Sequence, residues 1–222
     1  MPTWPVHLKI ANKLAKKYNY TEDFIIGNVL PDTMNGFVIQ SPSNVFHHSI
    51  THYSEKTDIG FPKISIESFL KDNKSKLDNE LILGTYSHLL ADLYFNEYTI
   101  KNHAKIKDGK AIPILSDGSI EENGVLRVLK QEDFRVFGET FIRNKEIGER
   151  INITKDTINL SKDLNYEITK EDLLKTVDKI NELIESDTKE EDYRMFTEKE
   201  LTDLFNNCVE YIDQKINENK EE

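Results

Sequence analysis

Cysteine is nearly absent from this 222-residue sequence, which contains only Cys208. A disulfide within the chain is therefore impossible, and a single thiol suits a reducing cytoplasm, where we expect the protein to act. Cys208 lies on an amphipathic stripe and is predicted to be a small core residue. Residues 1–5 have neither a basic nor an apolar region, which predicts that no secretory signal peptide is present.

Long apolar runs and an excess of positive charge are also lacking. No stretch approaches the roughly 18–20 apolar residues that a membrane span requires, so no transmembrane segment is predicted. There are 40 Asp and Glu against 29 Lys and Arg, and the formal net charge is −11. No stable nucleic-acid binding is expected, because contacts to the phosphate backbone depend on Lys and Arg. The composition leaves the oligomeric state unknown.

Hydrophobic periodicity near 3.6 residues predicts an all-α fold, a multi-helix bundle formed as a single domain over residues 1–222. A small loop or β-hairpin excursion is expected at residues 104–120, where Asp108-Gly109 is a turn signal and Pro113 limits pairing. Any β-structure should be confined to that segment. Residues 31–60 are expected to be loop-rich. Helices are predicted at roughly 5–18, 21–30, 62–74, 79–101, 121–130, 131–149, 154–162, 169–186 and 197–219.

The last third of the chain carries only packing signals. One apolar stripe, which includes Leu173, Leu174 and Val177, runs along the predicted helix at 169–186, and a second includes Leu201, Leu204 and Cys208. Such stripes are typical of helices that bury one face against a core. Residues 121–222 are therefore interpreted as a helical scaffold.

The predicted helix at 79–101 is apolar nearly all round, yet it carries His88 and Asp92. Residues four apart lie one above the other on a helix face, and Thr85 and Asn96 extend this polar stripe by about one turn each way. A buried ionised Asp costs several kcal/mol unless it is paired or bound to a metal. The pattern is typical either of a pair of metal ligands or of a His–Asp hydrogen bond that holds two helices together.

All the histidines fall in the first half of the chain: His7, His47, His48, His52, His88 and His103. His7 is predicted on the apolar face of the first helix. A single inward histidine is more often a satisfied core residue, whereas three or more beside an inward Asp favour a shared metal site. His48 and His52 share a face if their segment is helical.

Asp32 is a further candidate because Pro31, directly before it, is expected to end the short second helix and fix the backbone there. An Asp that merely caps a turn is the plainer interpretation of such a pair. If Asp32, Asp92 and the inward histidines form a metal site, they would hold a cation through His nitrogen and carboxylate oxygen.

Four local features resemble the zinc-dependent phospholipase C family, whose fold is related to that of zinc-dependent single-strand-specific nucleases. The resemblance covers roughly residues 1–103. It lies in Leu83-Gly84-x-x-x-His88-x-x-x-Asp92, which resembles the family's metal helix; in Thr51-His52-Tyr53, followed by Gly60-Phe61-Pro62; in Pro31-Asp32; and in His7.

The resemblance implies a zinc-dependent hydrolase that acts on a small-molecule or lipid phosphate ester. The implied metal ligands are His7, Asp32, His52, His88 and Asp92, with one or two Zn²⁺ per chain and a bacterial origin. Asp32 would be a ligand or, if it is not one, the catalytic general base.

The chain also departs from the family pattern. Trp4 is internal, so it cannot copy the mature N-terminal tryptophan that ligates zinc in secreted members; removal of Met1 would expose the Pro2 amine as a substitute ligand. No histidine follows His103, so the late ligands are missing and a three-zinc site is not expected. Whether His48, His47 or His103 replaces or joins His52 stays open.

Two alternative functions remain. One is a catalytically inactive relative that acts as a helical binding or scaffold protein. The other is another metal-dependent phosphohydrolase of the His-Asp type, whose adjacent His-Asp pair is absent here.

Overall fold

The computed structural model describes residues 2–36, 38–59 and 61–220. Within these ranges it is mostly helical, with two small antiparallel hairpins, which confirms the predicted all-α fold. Gly60, placed by the sequence in a turn after His52, lies outside the described residues, as does Met1. Among the helices that are described, none is long and apolar enough to cross a membrane. The helices are α1 (Trp4–Tyr18), α2 (Glu22–Gly27), α3 (Leu30–Thr33), α4 (His48–Thr51), α5 (Ile66–Asn73), α6 (Glu80–His103), α7 (Leu126–Arg143), α8 (Lys155–Leu160), α9 (Lys170–Glu185) and α10 (Glu198–Lys220).

The hairpin expected at residues 104–120 is present. Strand β3 (Ala104–Lys107) pairs antiparallel with β4 (Lys110–Pro113) around Asp108 and Gly109, which both have positive φ. That backbone conformation matches the twist of the two strands, which is why Asp-Gly favours it. The confinement of β-structure to this segment is wrong, because β1 (Ser54–Glu55) pairs with β2 (Lys63–Ile64). Two-residue strands are too short to produce a periodic signal.

Three predicted helix boundaries are also wrong. The second helix ends at Gly27, and Pro31 does not end it but lies in the first turn of α3. Proline suits that position because its missing N–H would have no helical partner there. The two helices predicted at 121–130 and 131–149 are one continuous helix, α7, since no breaking residue separates Lys130 from Gln131. The helix predicted from 62 begins at Ile66, after β2.

Helix α6 runs through the centre of the core and packs against α1, α2, α5 and α10. Every residue of α6 from Leu81 to Asp92 is buried. On α10 the predicted stripe is buried, and Cys208 is a fully enclosed core residue, as predicted. On α9, Leu173 and Val177 are buried as predicted. Leu174 is 42% exposed, so the prediction that it belongs to the buried stripe is wrong.

Two glycines allow α2 and α6 to cross at backbone contact distance. A Cβ atom on Gly84 would lie 2.2 Å from the carbonyl oxygen of Phe24, and one on Gly27 would lie 2.2 Å from that of Leu81. Both neighbours are backbone atoms, which cannot swing away as a flexible side chain can. Only glycine at both positions is therefore compatible with this crossing.

Hydrogen bonds connect the chain beyond α6 to α3 and to itself. The hydroxyl oxygens of Thr33 on α3 and Thr176 on α9 lie 3.2 Å apart. The carboxylate of Asp133 on α7 accepts hydrogen bonds from the backbone N–H groups of Arg194, Met195 and Phe196. These contacts fix α3 and α7 relative to α9 and the segment before α10.

We expect Gly84→Ala to lower the free energy of unfolding by about 2–3 kcal/mol, because the added methyl group must push α2 and α6 apart. Urea unfolding followed by circular dichroism measures the change. Gly118→Ala is the control: its Cβ meets no atom within 4 Å, and only its positive φ should cost about 1 kcal/mol. Equal losses in the two variants would show that the α2–α6 crossing is not sterically limited.

Candidate metal centre

Five side chains that are far apart in the sequence meet at one point beside α6. His7 comes from α1, Asp32 from α3 and His52 from the residue that follows α4, while α6 supplies His88 and Asp92. The atom separations are 3.3 Å for His7 Nε2–Asp92 Oδ1, 3.4 Å for His88 Nε2–Asp92 Oδ2, 3.7 Å for His52 Nε2–Asp92 Oδ2, 3.3 Å for His52 Nε2–Asp32 Oδ1 and 3.2 Å for His88 Nε2–His52 Nε2.

These residues form two overlapping groups that could hold a metal ion. Each member of a group offers one ligand atom, and those atoms lie within 4.8 Å of one another. The first group is His7, His88 and Asp92; the second is Asp32, His52 and His88. Three protein ligands with an open fourth position are typical of catalytic zinc sites.

The cluster is buried and leaves polar atoms without partners. The side chains of His7, His52, His88 and Asp92 are 0% exposed, and Asp32 is 7% exposed. Both carboxylate oxygens of Asp92 and both ring nitrogens of His7 lack a hydrogen-bond partner among the described residues. The His7–Asp92 separation of 3.3 Å is thus a close approach without the alignment of a hydrogen bond. Unsatisfied buried groups cost about 1–3 kcal/mol each, so the set fits a cation that these atoms would coordinate.

Backbone and hydroxyl partners orient the rings on their outer sides. The Nδ1–H of His88 donates to the carbonyl of Asn28 at 2.7 Å, which turns Nε2 toward the other four residues. Asn28 directly follows α2, so the close crossing at Gly84 sets this contact. Nδ1 of His52 lies 2.8 Å from the hydroxyl of Thr51. Ligating histidines are normally held in this way through the ring nitrogen that does not bind the metal.

The electrostatics keep the carboxylates ionised. Burial alone would raise the pKa of Asp92, but His88 and His7 outweigh it and hold that pKa well below its usual range. For Asp32 burial is likewise outweighed, by its contact with His52, and the pKa falls to about 2. Burial, with help from the neighbouring His88, lowers the pKa of His7 to about 4. Ionised carboxylates and neutral imidazole are the forms in which these groups bind metals.

The other three histidines contribute no ligand atom to either group. His48 stacks on His52 with ring centroids 3.8 Å apart, and its Nδ1 lies 2.7 Å from the hydroxyl of Ser54. His47 is exposed and accepts the Ser49 N–H, so it caps α4. His103 pairs with Glu200 at 2.7 Å, at the far end of α6.

Lys130 is the residue near the site that the sequence did not single out. It is 3% exposed on α7 and donates to the side-chain oxygen of Asn96. Asn96 is the end of the polar stripe that the sequence placed on the helix of Asp92. The available signal was a lysine within the apolar stripe formed by Leu126, Leu129 and Phe134, an unusual place for a charge.

No family model, curated protein or solved structure matches the chain. The likeness to the phospholipase C family therefore rests on the sequence motifs alone and stays a prediction. The buried His/Asp cluster stands independently of it.

The metal-free protein should lose stability as the pH falls from 6.5 toward about 4. The pKa of His7 is lowered on folding from 6.5 to about 4, so in this window the unfolded chain binds a proton that the folded chain does not. The stability that His7 contributes is thus present above pH 6.5 and lost on acidification, by at most about 3 kcal/mol. The pKa of His48, which burial also lowers to about 4, acts in the same direction, and the raised pKa of His88 acts in the opposite direction.

Urea unfolding over a pH series tests this for the wild type and for His7→Phe. The His7 ring stacks on that of His88 with centroids 4.0 Å apart, and a phenyl ring can keep this contact. The variant should show a flatter pH dependence than the wild type. If both slopes were the same, His7 would not be the group that titrates.

Proposed function

We propose that this protein is a zinc-dependent hydrolase of phosphate esters that holds one or two Zn²⁺ at the buried cluster. The observation that carries the proposal is Asp92, whose two carboxylate oxygens are buried among His7, His52 and His88 without a hydrogen-bond partner among the described residues. A carboxylate in that position is otherwise costly to bury.

The donor set supports zinc over a harder cation. Mg²⁺ and Ca²⁺ prefer oxygen ligands, whereas three imidazoles and two carboxylates suit Zn²⁺. Oδ1 of Asp92 lies on the side of His7, and Oδ2 lies on the side of His52 and His88. His88 belongs to both candidate groups, and Asp92 of the first group also lies 3.7 Å from His52 of the second, so the cluster could accommodate one or two ions.

Zinc bound here would act as a Lewis acid that lowers the pKa of water from 15.7 toward about 7 and polarises a phosphoryl oxygen. The protein's own residues fix the surroundings. His88 is held by the Asn28 carbonyl, and Asp32 is held by a 3.2 Å hydrogen bond from Asn35. With a pKa of about 2, Asp32 is a weak proton acceptor, which favours its role as a ligand over that of general base.

A second candidate function is supported by how tightly the cluster is enclosed. Four of the five side chains are completely buried, and structural zinc sites are closed whereas catalytic ones keep an open position. In this alternative the metal fastens α1, α3 and α6 together in a non-catalytic binding or scaffold protein.

Metal analysis followed by an activity panel separates the two functions. Protein purified without an affinity tag is analysed for metal per chain, loaded with zinc and assayed on chromogenic and lipid phosphate mono- and diesters. A hydrolase shows activity that a chelator abolishes and zinc restores. A scaffold shows only a higher melting temperature on zinc binding, equivalent to about 2.7 kcal/mol at a free zinc concentration one hundred times the Kd.

His88→Ala should remove both zinc and hydrolysis, because His88 belongs to both candidate groups. The loss should exceed the roughly 10–100-fold that is typical of changes to the partners of ligands. Asp92→Asn should weaken zinc binding less, since the amide keeps an oxygen but loses the charge. Circular dichroism should show that both variants keep their helices.

The control is His47→Ala, which changes an exposed histidine that lies outside both groups. It should keep metal and activity. A zinc-loaded wild type that is inactive on the whole panel, together with a His88→Ala variant that is thermally more stable, would refute the hydrolase.

A further inference from the structure

Lys130 places a positive charge inside the protein, next to the metal centre. Its Nζ donates to Asn96 Oδ1 and lies 4.8 Å from the centroid of the Phe61 ring and 5.8 Å from that of Phe134. Asn96 lies one turn of α6 beyond Asp92, so both side chains are on one face of the helix. The charge is therefore close to the cluster without taking part in it.

The partners of this ammonium group do not neutralise it. Among the described residues no carboxylate forms an ion pair with Lys130, whose contacts include an amide oxygen and two aromatic rings, and the negative charge of Asp92 acts on it only through space. Burial lowers the pKa of Lys130 to about 8, so the side chain is still mainly protonated at neutral pH. A buried cation without an anionic partner costs several kcal/mol, and an anion that binds beside it would recover that energy.

Phe61 also lines an open cleft. It has a volume of about 510 Å³ and lies between the β3–β4 hairpin and the first turn of α7. Leu126 and Arg127 line it, and Lys130 follows them on the same side of α7, since residues three and four apart share a face. The Phe61 side chain thus borders both the cleft and the Lys130 ammonium.

The charges that line the cleft favour an anion. Lys107 forms an ion pair with Glu122 at 3.4 Å, which leaves Lys110 and Arg127 against Asp108 and gives the lining a small positive excess. The chain as a whole has a net charge of −11, so this excess attracts an anion that the remaining surface repels.

We propose that Lys130 binds the phosphoryl oxygens of the substrate and that the cleft closed by Phe61 is the route by which a phosphate ester reaches the metal centre. This inference rests on the proposed hydrolase function and assigns its anion-binding residue. The order from outside to inside is the cleft, the Phe61 ring, Lys130 with Asn96, and then Asp92. Rotation of one aromatic side chain is the movement that entry requires.

Binding of inorganic phosphate to the zinc-loaded protein tests the role of Lys130 separately from catalysis. Titration by calorimetry gives the Kd, and metal analysis of each sample confirms equal zinc content. Lys130→Met keeps the length of the apolar stem but lacks the ammonium, and it should weaken phosphate binding by about tenfold or more, as expected for a charge-assisted hydrogen bond. Lys199→Met is the matched control, because that lysine is 85% exposed on α10, and its Kd should equal that of the wild type.

A second measurement covers the case in which Lys130→Met fails to fold. The wild type is treated with pyridoxal phosphate and borohydride near pH 8, and the labelled lysines are identified by mass spectrometry. Lys130 should be labelled, inorganic phosphate should protect it, and Phe61→Ala should raise its labelling rate several-fold relative to Lys199. The last comparison tests whether Phe61 closes the route.

Each result decides the proposal independently of hydrolysis. Phosphate binding that depends on Lys130 in a protein without esterase activity would support the anion site and refute the hydrolase. Equal phosphate affinity in wild type and folded Lys130→Met would overturn the assignment of Lys130, whatever the activity. A Lys130 that is not labelled, or is labelled at the same rate in Phe61→Ala, would overturn the route.

Discussion

The close crossing of α2 and α6 is the constraint on which the site depends. Two glycines remove the side chains that would hold the helices apart, so the carbonyl of Asn28, at the end of α2, reaches the ring of His88. That hydrogen bond directs Nε2 of His88 inward, and α3 follows α2 closely enough to bring Asp32 to the same point. A wider crossing would leave the same five residues in the chain without bringing them together.

Burying the His/Asp cluster also costs free energy. Two ionised carboxylates are enclosed with three imidazoles, and several of their polar atoms have no partner among the described residues. The buried carboxylate of Asp133 is paired by contrast, because it accepts hydrogen bonds from several backbone N–H groups. The contrast indicates that the His/Asp cluster is not built for packing alone, because an apolar substitution there would avoid the cost.

Local sequence patterns predicted the regular elements well and the short ones poorly. The long apolar stripes predicted α1, α6, α9 and α10, and Asp108-Gly109 predicted the β3–β4 hairpin. The β1–β2 pair escaped because two-residue strands have no period, and Pro31 was misplaced because a proline that follows one helix can also begin the next. Lys130 was missed because a lysine within an apolar stripe is normally an exposed interruption, and its burial depends on Phe61 and Asn96 from distant segments.

The sequence by itself determined that the chain is helical, that α6 is buried, and that His88 and Asp92 share a face, because each follows from spacing along one segment. Its motifs also named His7, Asp32 and His52 as partners for that pair. Only the tertiary structure decided that these residues converge, that His47, His48 and His103 stay outside both candidate ligand groups, and that Lys130 lies beside the site. The reason is physical. A helical period fixes the direction in which a side chain points, whereas the distance between two helices depends on the size of the side chains at the point where they cross.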